Sequence, residues 1–268
     1  MSQMTFIKKN IPFLIALFLV CGCKKVLDVS LKESEPQIVI TGEVNNLPGP
    51  YRISISRSVN FAQNNDFPPV SGALVTIKNR RITDTLSEKE PGKYFTQRIK
   101  GKPGDSYTLH VELDGKAYTA TSVMPLPVEL DSISFLSGRK NTIYPVANFQ
   151  DPPGVHNYYQ FIEYIDGATL RNSRGNSVFD DRLSDGRYIT PVIYSDSSMI
   201  KTGATLTIQM NSIDEKVYTY LSELLQITTG SGGGFGSPAP ANPESNISGG
   251  VLGYFSANSV SSRTVTIQ

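Results

Sequence analysis

The chain has 268 residues, a formal net charge of +1 and 18% charged residues. This near-neutral balance gives no basis for a nucleic-acid-binding surface or for binding to an acidic membrane surface. Tyr, Phe, Thr, Val and Ile recur in short runs that are broken by Gly, Pro, Asn and Asp. Such runs are typical of a mainly β protein.

The first residues are typical of a bacterial export signal. Lysines precede the apolar segment 11–20, which is shorter than the about 20 apolar residues that a membrane-spanning helix needs. The sequence VCGC at 20–23 then resembles a bacterial lipobox, in which a small residue comes just before the lipidated cysteine. Gly22 fits this position before Cys23. We therefore predict a signal peptide over 1–22 and lipidation of Cys23; a secreted protein with a leftover thiol and an uncleaved anchor are the alternatives.

Cleavage before Cys23 would leave the mature chain without a free thiol. This excludes a disulfide framework, a cysteine nucleophile and a cysteine metal site. Residues 23–36 are polar, of mixed charge and without a period, so we predict a lipidated tether to a membrane face. We expect the cell surface rather than the periplasmic face, although the acidic residues typical of surface export come late here, behind Lys24 and Lys25.

The first folded part is predicted over 37–124. Seven short alternating segments separated by turn signals predict a β-sandwich. The clearest element is 107–122, in which Asp114-Gly115 is a type I′ turn signal. Pairing outward from this turn gives one apolar face and one solvated face. It places His110 on the solvated face beside Glu112, which favours a surface histidine over a catalytic one.

Four short motifs follow each other in this part: PVSGALVTI at 69–77, TDT at 83–85, PGKY at 91–94 and GDSYTL at 104–109. Their order resembles the carboxypeptidase-regulatory or transthyretin-like β-sandwich found in cell-envelope proteins. The resemblance implies an Ig-like or transthyretin-like domain without a catalytic role.

A longer resemblance covers nearly the whole chain. Its motifs are the lipobox, VLDV at 26–29, ESEP at 33–36, FPPVSGA at 67–73, Met124-Pro125, FQDPPG at 149–154, Tyr158-Tyr159 and GGVLGYF at 249–255. Together they resemble a Bacteroidetes lipoprotein family known only as a domain of unknown function. The resemblance implies an outer-membrane lipoprotein that accompanies a TonB-dependent transporter, and it implies no catalytic residues.

A second β-rich domain is predicted over 128–268. The prolines of 124–127 cannot donate ladder hydrogen bonds, so this segment predicts a boundary. One amphipathic helix is predicted at about 213–228, with Ser212 as its cap and Glu215 completing a capping box. We expect this helix to cover a sheet, with a partner-binding helix as the alternative.

The segment 158–165 is apolar on both faces. A central strand buried on both sides explains this pattern most simply. The alternative is an aromatic face for a sugar or an apolar ligand, because tyrosine offers a flat apolar ring with a polar tip. The candidate ligand-binding residues are Tyr158, Tyr159, Phe161 and Tyr164.

The segment 229–246 is rich in Gly, Pro and Ser, which predicts a flexible loop. Because it is long, a loop that orders against a partner is the alternative. Phe235 and Pro238 are then its candidate contact residues.

The sequence carries no common catalytic or metal-binding motif. The chain has no P-loop, no HExxH pair and no G-x-S-x-G turn. The acidic segment 180–186, with Asp151 and Asp196, invites a calcium hypothesis, but its spacing is not that of an EF-hand. We therefore expect an exposed hairpin turn at Asp185-Gly186, no metal, no cofactor and no enzymatic activity. A hydrolase with hidden catalytic carboxylates is the weakest of the hypotheses.

These observations predict a lipid-anchored, non-enzymatic, two-part β protein of the outer membrane. We expect it to be an accessory or ligand-capture subunit of a TonB-dependent transporter. The alternative is a structural or adhesive envelope protein without a small-molecule ligand.

Overall fold

A computed structural model describes residues 35–59, 66–139, 142–170, 177–194, 200–228 and 241–268. The predicted signal peptide, Cys23 and all of the tether but its last two residues lie outside these ranges. Residues Pro36–Gln268 form one compact unit. Within its described part the chain has sixteen strands and one helix, so the expectation of a mainly β protein with a single helix is confirmed.

The first half of this unit is a sandwich of two sheets. Its strands are β1 (Ile38–Asn45), β2 (Arg52–Arg57), β3 (Leu74–Lys78), β4 (Thr83–Thr85), β5 (Ser87–Glu90), β6 (Lys93–Phe95), β7 (Ser106–Leu113) and β8 (Lys116–Val123). The order β1-β2-β6-β5 belongs to one sheet and β4-β3-β7-β8 forms the other. Alternate side chains point inward, so that Ile40, Ile53, Ile77 and Leu109 are fully buried in one core.

The hairpin of β7 and β8 has the register that the sequence predicts. Val111 pairs with Tyr118. Both residues of the Asp114-Gly115 turn have positive φ, 51° and 71°, as a type I′ turn requires. His110 Nε2 lies 3.0 Å from Glu112 Oε1 on the outer face of the sheet. The predicted turn and the solvated histidine are confirmed.

The second half is also a sandwich. Its strands are β9 (Ser132–Ser137), β10 (Ile143–Gln150), β11 (Tyr158–Ile165), β12 (Ala168–Thr169), β13 (Ser177–Asp180), β14 (Tyr188–Ile189), β15 (Thr205–Ile213) and β16 (Leu252–Thr266). One sheet has the order β14-β10-β9, and the other runs β12-β11-β15-β16 with β13 also paired to β11. Phe149, Phe161, Ile208 and Met210 lie in the core between them.

Strand β16 belongs to both sandwiches. Its first part pairs in parallel with β1, as in Gly42 with Phe255, and its second part pairs antiparallel with β15. At the changeover the Asn46 side chain accepts a hydrogen bond from Val260 N (2.7 Å) and donates one to Val260 O (3.4 Å). Gly253 has φ +95°, and a Cβ atom there would lie 2.0 Å from Ile40 O.

Within the single compact unit, the buried core changes between 124 and 128. Met124 belongs to the first core and Val128 to the second. The first core also contains Ile247, Val251, Phe255 and Ala257, which lie in the predicted second domain. The two predicted domains therefore share the end of the described chain.

Helix α1 (Glu215–Thr228) covers the outer side of the second sandwich and contacts β11, β13 and β16. Its cap differs from the prediction. Val217 N donates to Asp214 Oδ1 (3.0 Å), so Asp214 is the N-cap. Ser212 instead remains in β15, paired with Tyr159 and Ser259. The strand ladder thus continues past the predicted cap, and the helix begins at Glu215. None of the helical residues in the described ranges forms a span long and apolar enough to cross a membrane.

Candidate functional site

The predicted aromatic set on β11 is divided between two faces. Tyr159 and Phe161 are 0% and 2% exposed and lie in the second core. Their rings pack against Phe149 at centroid distances of 4.8 and 6.1 Å. Because side chains alternate along a strand, Tyr158 and Tyr164 lie on the opposite face, where both are half-buried. The four residues therefore do not form one aromatic surface.

Tyr164 belongs to a hydrogen-bonded polar row on this outer face. Its hydroxyl donates to Gln209 Oε1 (3.3 Å), and Gln209 Nε2 donates to Asn211 Oδ1 (2.9 Å). Asn211 Nδ2 in turn donates to Gln160 Oε1 (3.1 Å). Burial, assisted by the charge of Glu43, raises the pKa of Tyr164. These polar side chains therefore bond to one another along the outer face.

Tyr158 packs against the helix that covers the sheet. Its ring lies 5.0 Å from the ring of Tyr218, and Tyr218 Oη donates to Asp180 Oδ2 (2.6 Å). Burial and this hydrogen bond raise the pKa of Tyr218 to about 12. Tyr158 and Tyr218 thus fix the start of α1 against β11 and β13.

Tyr158 also lines an open groove of about 310 Å³ where the first sandwich continues into the second. We call this the linker groove. Val123, Leu126 and Val155 line it and are 50%, 72% and 60% exposed. The other wall residues are Pro125, Pro127, Val128, Pro152, His156, Asn157 and the segment 212–215. Exposed apolar side chains that converge in this way are typical of a binding surface.

The segment 124–127, predicted as a boundary, also forms part of this groove, which the sequence does not predict. The sequence does indicate one wall of the groove. Side chains alternate along β8, so that Ser122 is buried and the apolar Val123 faces solvent. Leu126 then follows between two prolines, where no strand can bury it. No local pattern indicates that Val155 lies in the same groove.

Three carboxylates meet beside the groove. Asp151 follows β10, and Asp181 and Asp185 lie in the turn after β13. One oxygen from each lies within 4.8 Å of the others, and both Asp151 and Asp181 are fully buried. The expected hairpin at Asp185-Gly186 is not formed, because β13 pairs with β11 whereas β14 pairs with β10.

Most oxygens of this cluster accept hydrogen bonds. Tyr159 Oη and Gly186 N (3.0 Å) donate to Asp151, and Asn157 N donates to Asp181 Oδ2 (2.9 Å). Asp181 Oδ1 is buried without a hydrogen-bond partner among the described residues. Burial raises the pKa of Asp181; the Asn157 amide lowers it and the Asp151 carboxylate raises it further. Asp196 lies outside the described residues.

The remaining predicted site residues, Cys23, Phe235 and Pro238, also lie outside the described residues. Of the predicted loop over 229–246, only the end is described. There the Asn246 side chain donates to Phe255 O (2.7 Å) and accepts from Phe255 N (3.0 Å). These bonds fasten the segment to the start of β16.

Comparison with known proteins identifies a family for the chain. A family model described as "Domain of unknown function (DUF4249)" covers residues 24–264. No curated protein matches the chain. The chain therefore belongs to the DUF4249 family, whose function is unknown.

Proposed function

We propose that this protein is a lipid-anchored, non-enzymatic lipoprotein of the outer membrane and an accessory or ligand-capture subunit of a TonB-dependent transporter. The observation that carries the proposal is the linker groove. It exposes Val123, Leu126 and Val155 to solvent in one concave surface. Each of these side chains would contribute about 1.5–3 kcal/mol to the binding free energy if a partner buried it fully.

The groove favours an extended apolar partner segment. Its walls are rich in proline and aliphatic side chains, and the ring of Tyr158 forms part of its lining. Proline lacks a backbone N–H, so the linker wall offers few hydrogen-bond donors to a polar ligand. We therefore assign the linker groove to an apolar segment of the transporter.

The membrane attachment in this proposal rests on the lipobox. A lipid on Cys23 followed by the polar tether would hold the folded unit close to a membrane face. The Bacteroidetes cell surface and a transthyretin-like identity for the first sandwich are parts of the same proposal. The two-sheet arrangement of β1 to β8 is compatible with that identity.

The first test is co-purification from native membranes. The full-length lipidated protein is isolated in mild detergent, and intact cells are separately treated with protease. The proposal expects a TonB-dependent transporter in the eluate and digestion of the lipoprotein from outside. A protein that elutes alone and is protected from protease contradicts it. Recovery with other envelope proteins in place of a transporter would favour the structural or adhesive role.

A pair of variants tests the groove itself. Leu126→Ser is expected to weaken transporter recovery about tenfold or more, because a buried leucine contributes about 1.5–3 kcal/mol and 1.4 kcal/mol is a factor of ten in affinity. Leu74→Ser is the control, since Leu74 is also exposed, at 48%, but lies on β3 of the first sandwich. Equal recovery with both variants would show that the groove is not the contact surface.

A further inference from the structure

The Asp151, Asp181 and Asp185 carboxylates form an unusual arrangement because their charges are close together and two of them are removed from water. Like charges at such spacing repel, and burying a carboxylate is costly unless it is paired. Among the described residues, the ion pair of this cluster is made by His156, whose Nε2 lies 3.8 Å from Asp181 Oδ1. Its ring is 61% exposed, so it does little to neutralise two fully buried carboxylates.

The second observation concerns Asp181 Oδ1. This atom is fully buried, it has no hydrogen-bond partner among the described residues, and its carboxylate lies with those of Asp151 and Asp185. A buried carboxylate oxygen normally has a partner. Its other oxygen accepts from Asn157 N, so the side chain is held in place. Oδ1 then faces only the exposed His156 ring at 3.8 Å and accepts no hydrogen bond from the described residues. This unsatisfied buried oxygen indicates a ligand.

The chemistry of the ligand follows from the donor set. All three groups are hard oxygen donors, which suit calcium, magnesium or manganese rather than metals that prefer nitrogen or sulfur. Calcium binds oxygen at about 2.3–2.6 Å, so two oxygens across the ion are about 4.6–5.2 Å apart; magnesium, at about 2.0–2.1 Å, requires a tighter octahedron. A spread within 4.8 Å fits around calcium.

We propose that Asp151, Asp181 and Asp185 bind a divalent cation, and that this cation is calcium. The ion would join the segment that follows β10 to the turn that follows β13. Asp185 Oδ1 already accepts from Gly154 N (2.8 Å), and Asp181 Oδ2 accepts from Asn157 N. The same two segments are therefore tied by hydrogen bonds and by the proposed ion.

The proposed ion would also act on the linker groove. Val155, His156 and Asn157 form one wall of that groove, and they lie within the segment that the carboxylates hold. Calcium is thus expected to fix the position of this wall. The cation site rests on its own geometry and stands even if the transporter proposal fails.

The test uses the purified full-length protein after removal of metal with EDTA. Titration with CaCl₂ by calorimetry is expected to show one site. At a calcium concentration 100 times the Kd, the Tm should rise by about 5–10 °C relative to EDTA. MgCl₂ at the same concentration should give a smaller rise. Absence of both heat and a Tm shift at millimolar calcium would overturn the site. An equal response to magnesium would overturn the assignment to calcium.

Three variants locate the site. Asp181→Asn is expected to abolish the calcium response. Asp185→Asn, at an exposed residue that the fold tolerates more easily, should weaken calcium affinity about tenfold or more, because affinity follows the number of charged ligands. Asp180→Asn removes a neighbouring charge that is paired with Arg182 outside the cluster, and it should bind calcium as the unchanged protein does. Wild-type affinity in both Asp181→Asn and Asp185→Asn would refute the proposal.

Discussion

Asp84 on β4 offers a sharp test of what holds the first sandwich together. Its side chain is 1% exposed. Its Oδ2 accepts hydrogen bonds from the backbone N–H groups of Gln97 (2.9 Å), Arg98 (2.8 Å) and Ile99 (2.9 Å). One carboxylate therefore orders the segment that follows β6. Asp84→Ala removes the acceptor for all three donors.

The expected loss follows from these contacts. A hydrogen bond to a charged group contributes about 1.5–3 kcal/mol net, and bonds that share one acceptor are not additive. The Arg98 guanidinium is 3.7 Å from Asp84 Oδ1 but its side chain is 67% exposed, so that ion pair adds little. We expect Asp84→Ala to lower the free energy of unfolding by about 3–5 kcal/mol. Asp84→Asn keeps an acceptor and should lose about 1–2 kcal/mol.

Urea unfolding followed by circular dichroism, with linear extrapolation to water, measures both variants. The dependence of stability on acidic pH is an independent test of the role of Asp84. Burial alone would raise the pKa of Asp84, but the three amides and Arg98 outweigh it and lower the pKa. The stabilisation is therefore present above the unfolded pKa of about 3.9 and is lost as pH falls through the folded value. Asp84→Asn should have a flatter acid profile. A loss below 1 kcal/mol for Asp84→Ala, or parallel acid profiles, would refute this reasoning.

Two further predictions concern the elements that join the halves. Gly253→Ala places a Cβ atom 2.0 Å from Ile40 O at a φ of +95°. We therefore expect the free energy of unfolding, measured with urea, to fall by more than about 2 kcal/mol. Gly104→Ala is the control, because Gly104 has a similar φ of +84° but an added Cβ atom there would have nothing within 4 Å. Its free energy of unfolding should fall by only about 1 kcal/mol. Equal losses in the two variants would exclude the Ile40 contact as the cause. Asp214→Ala removes the N-cap of α1 and the hydrogen bond that Ser122 Oγ donates to Asp214. The free energy of unfolding should fall by about 1–2 kcal/mol, and amide hydrogen exchange at Val217 should become faster. Unchanged exchange there would contradict the role of Asp214.

Local signals in the sequence identified local structure. The Asp114-Gly115 turn fixes the register of its own hairpin, because two residues of positive φ leave one way to pair the flanking strands. The helix was found for the same reason, from the spacing of Val217 and Leu221, which are both buried. The predicted cap, Ser212, is wrong, because Asp214 two residues later accepts the Val217 N–H while Ser212 stays in the strand ladder. The ladder with Ser259 decides between them.

Features that depend on distant pairing could not be predicted. Asn46 and Val260 are 214 residues apart, and no local pattern indicates that β1 and β16 lie side by side. The gathering of Asp151, Asp181 and Asp185 likewise depends on the end of β10 meeting the turn after β13. The apolar pattern of β11 indicates that the strand is buried, but it does not indicate which of its two faces packs in the second core. Tyr158 therefore could not be separated from Tyr159 by sequence alone.

The sharing of β16 between two sandwiches constrains the order in which the protein can fold. β1 leaves the ribosome early, and its partner on one side, β16, is made after all the other described strands. Until then β1 is an edge with free N–H and C=O groups, which invites pairing with other chains. Pairing across so long a stretch of chain is also slow. The first core cannot close before β16 is made, so the chain stays unfolded for longer, which would suit the export that the proposed function requires.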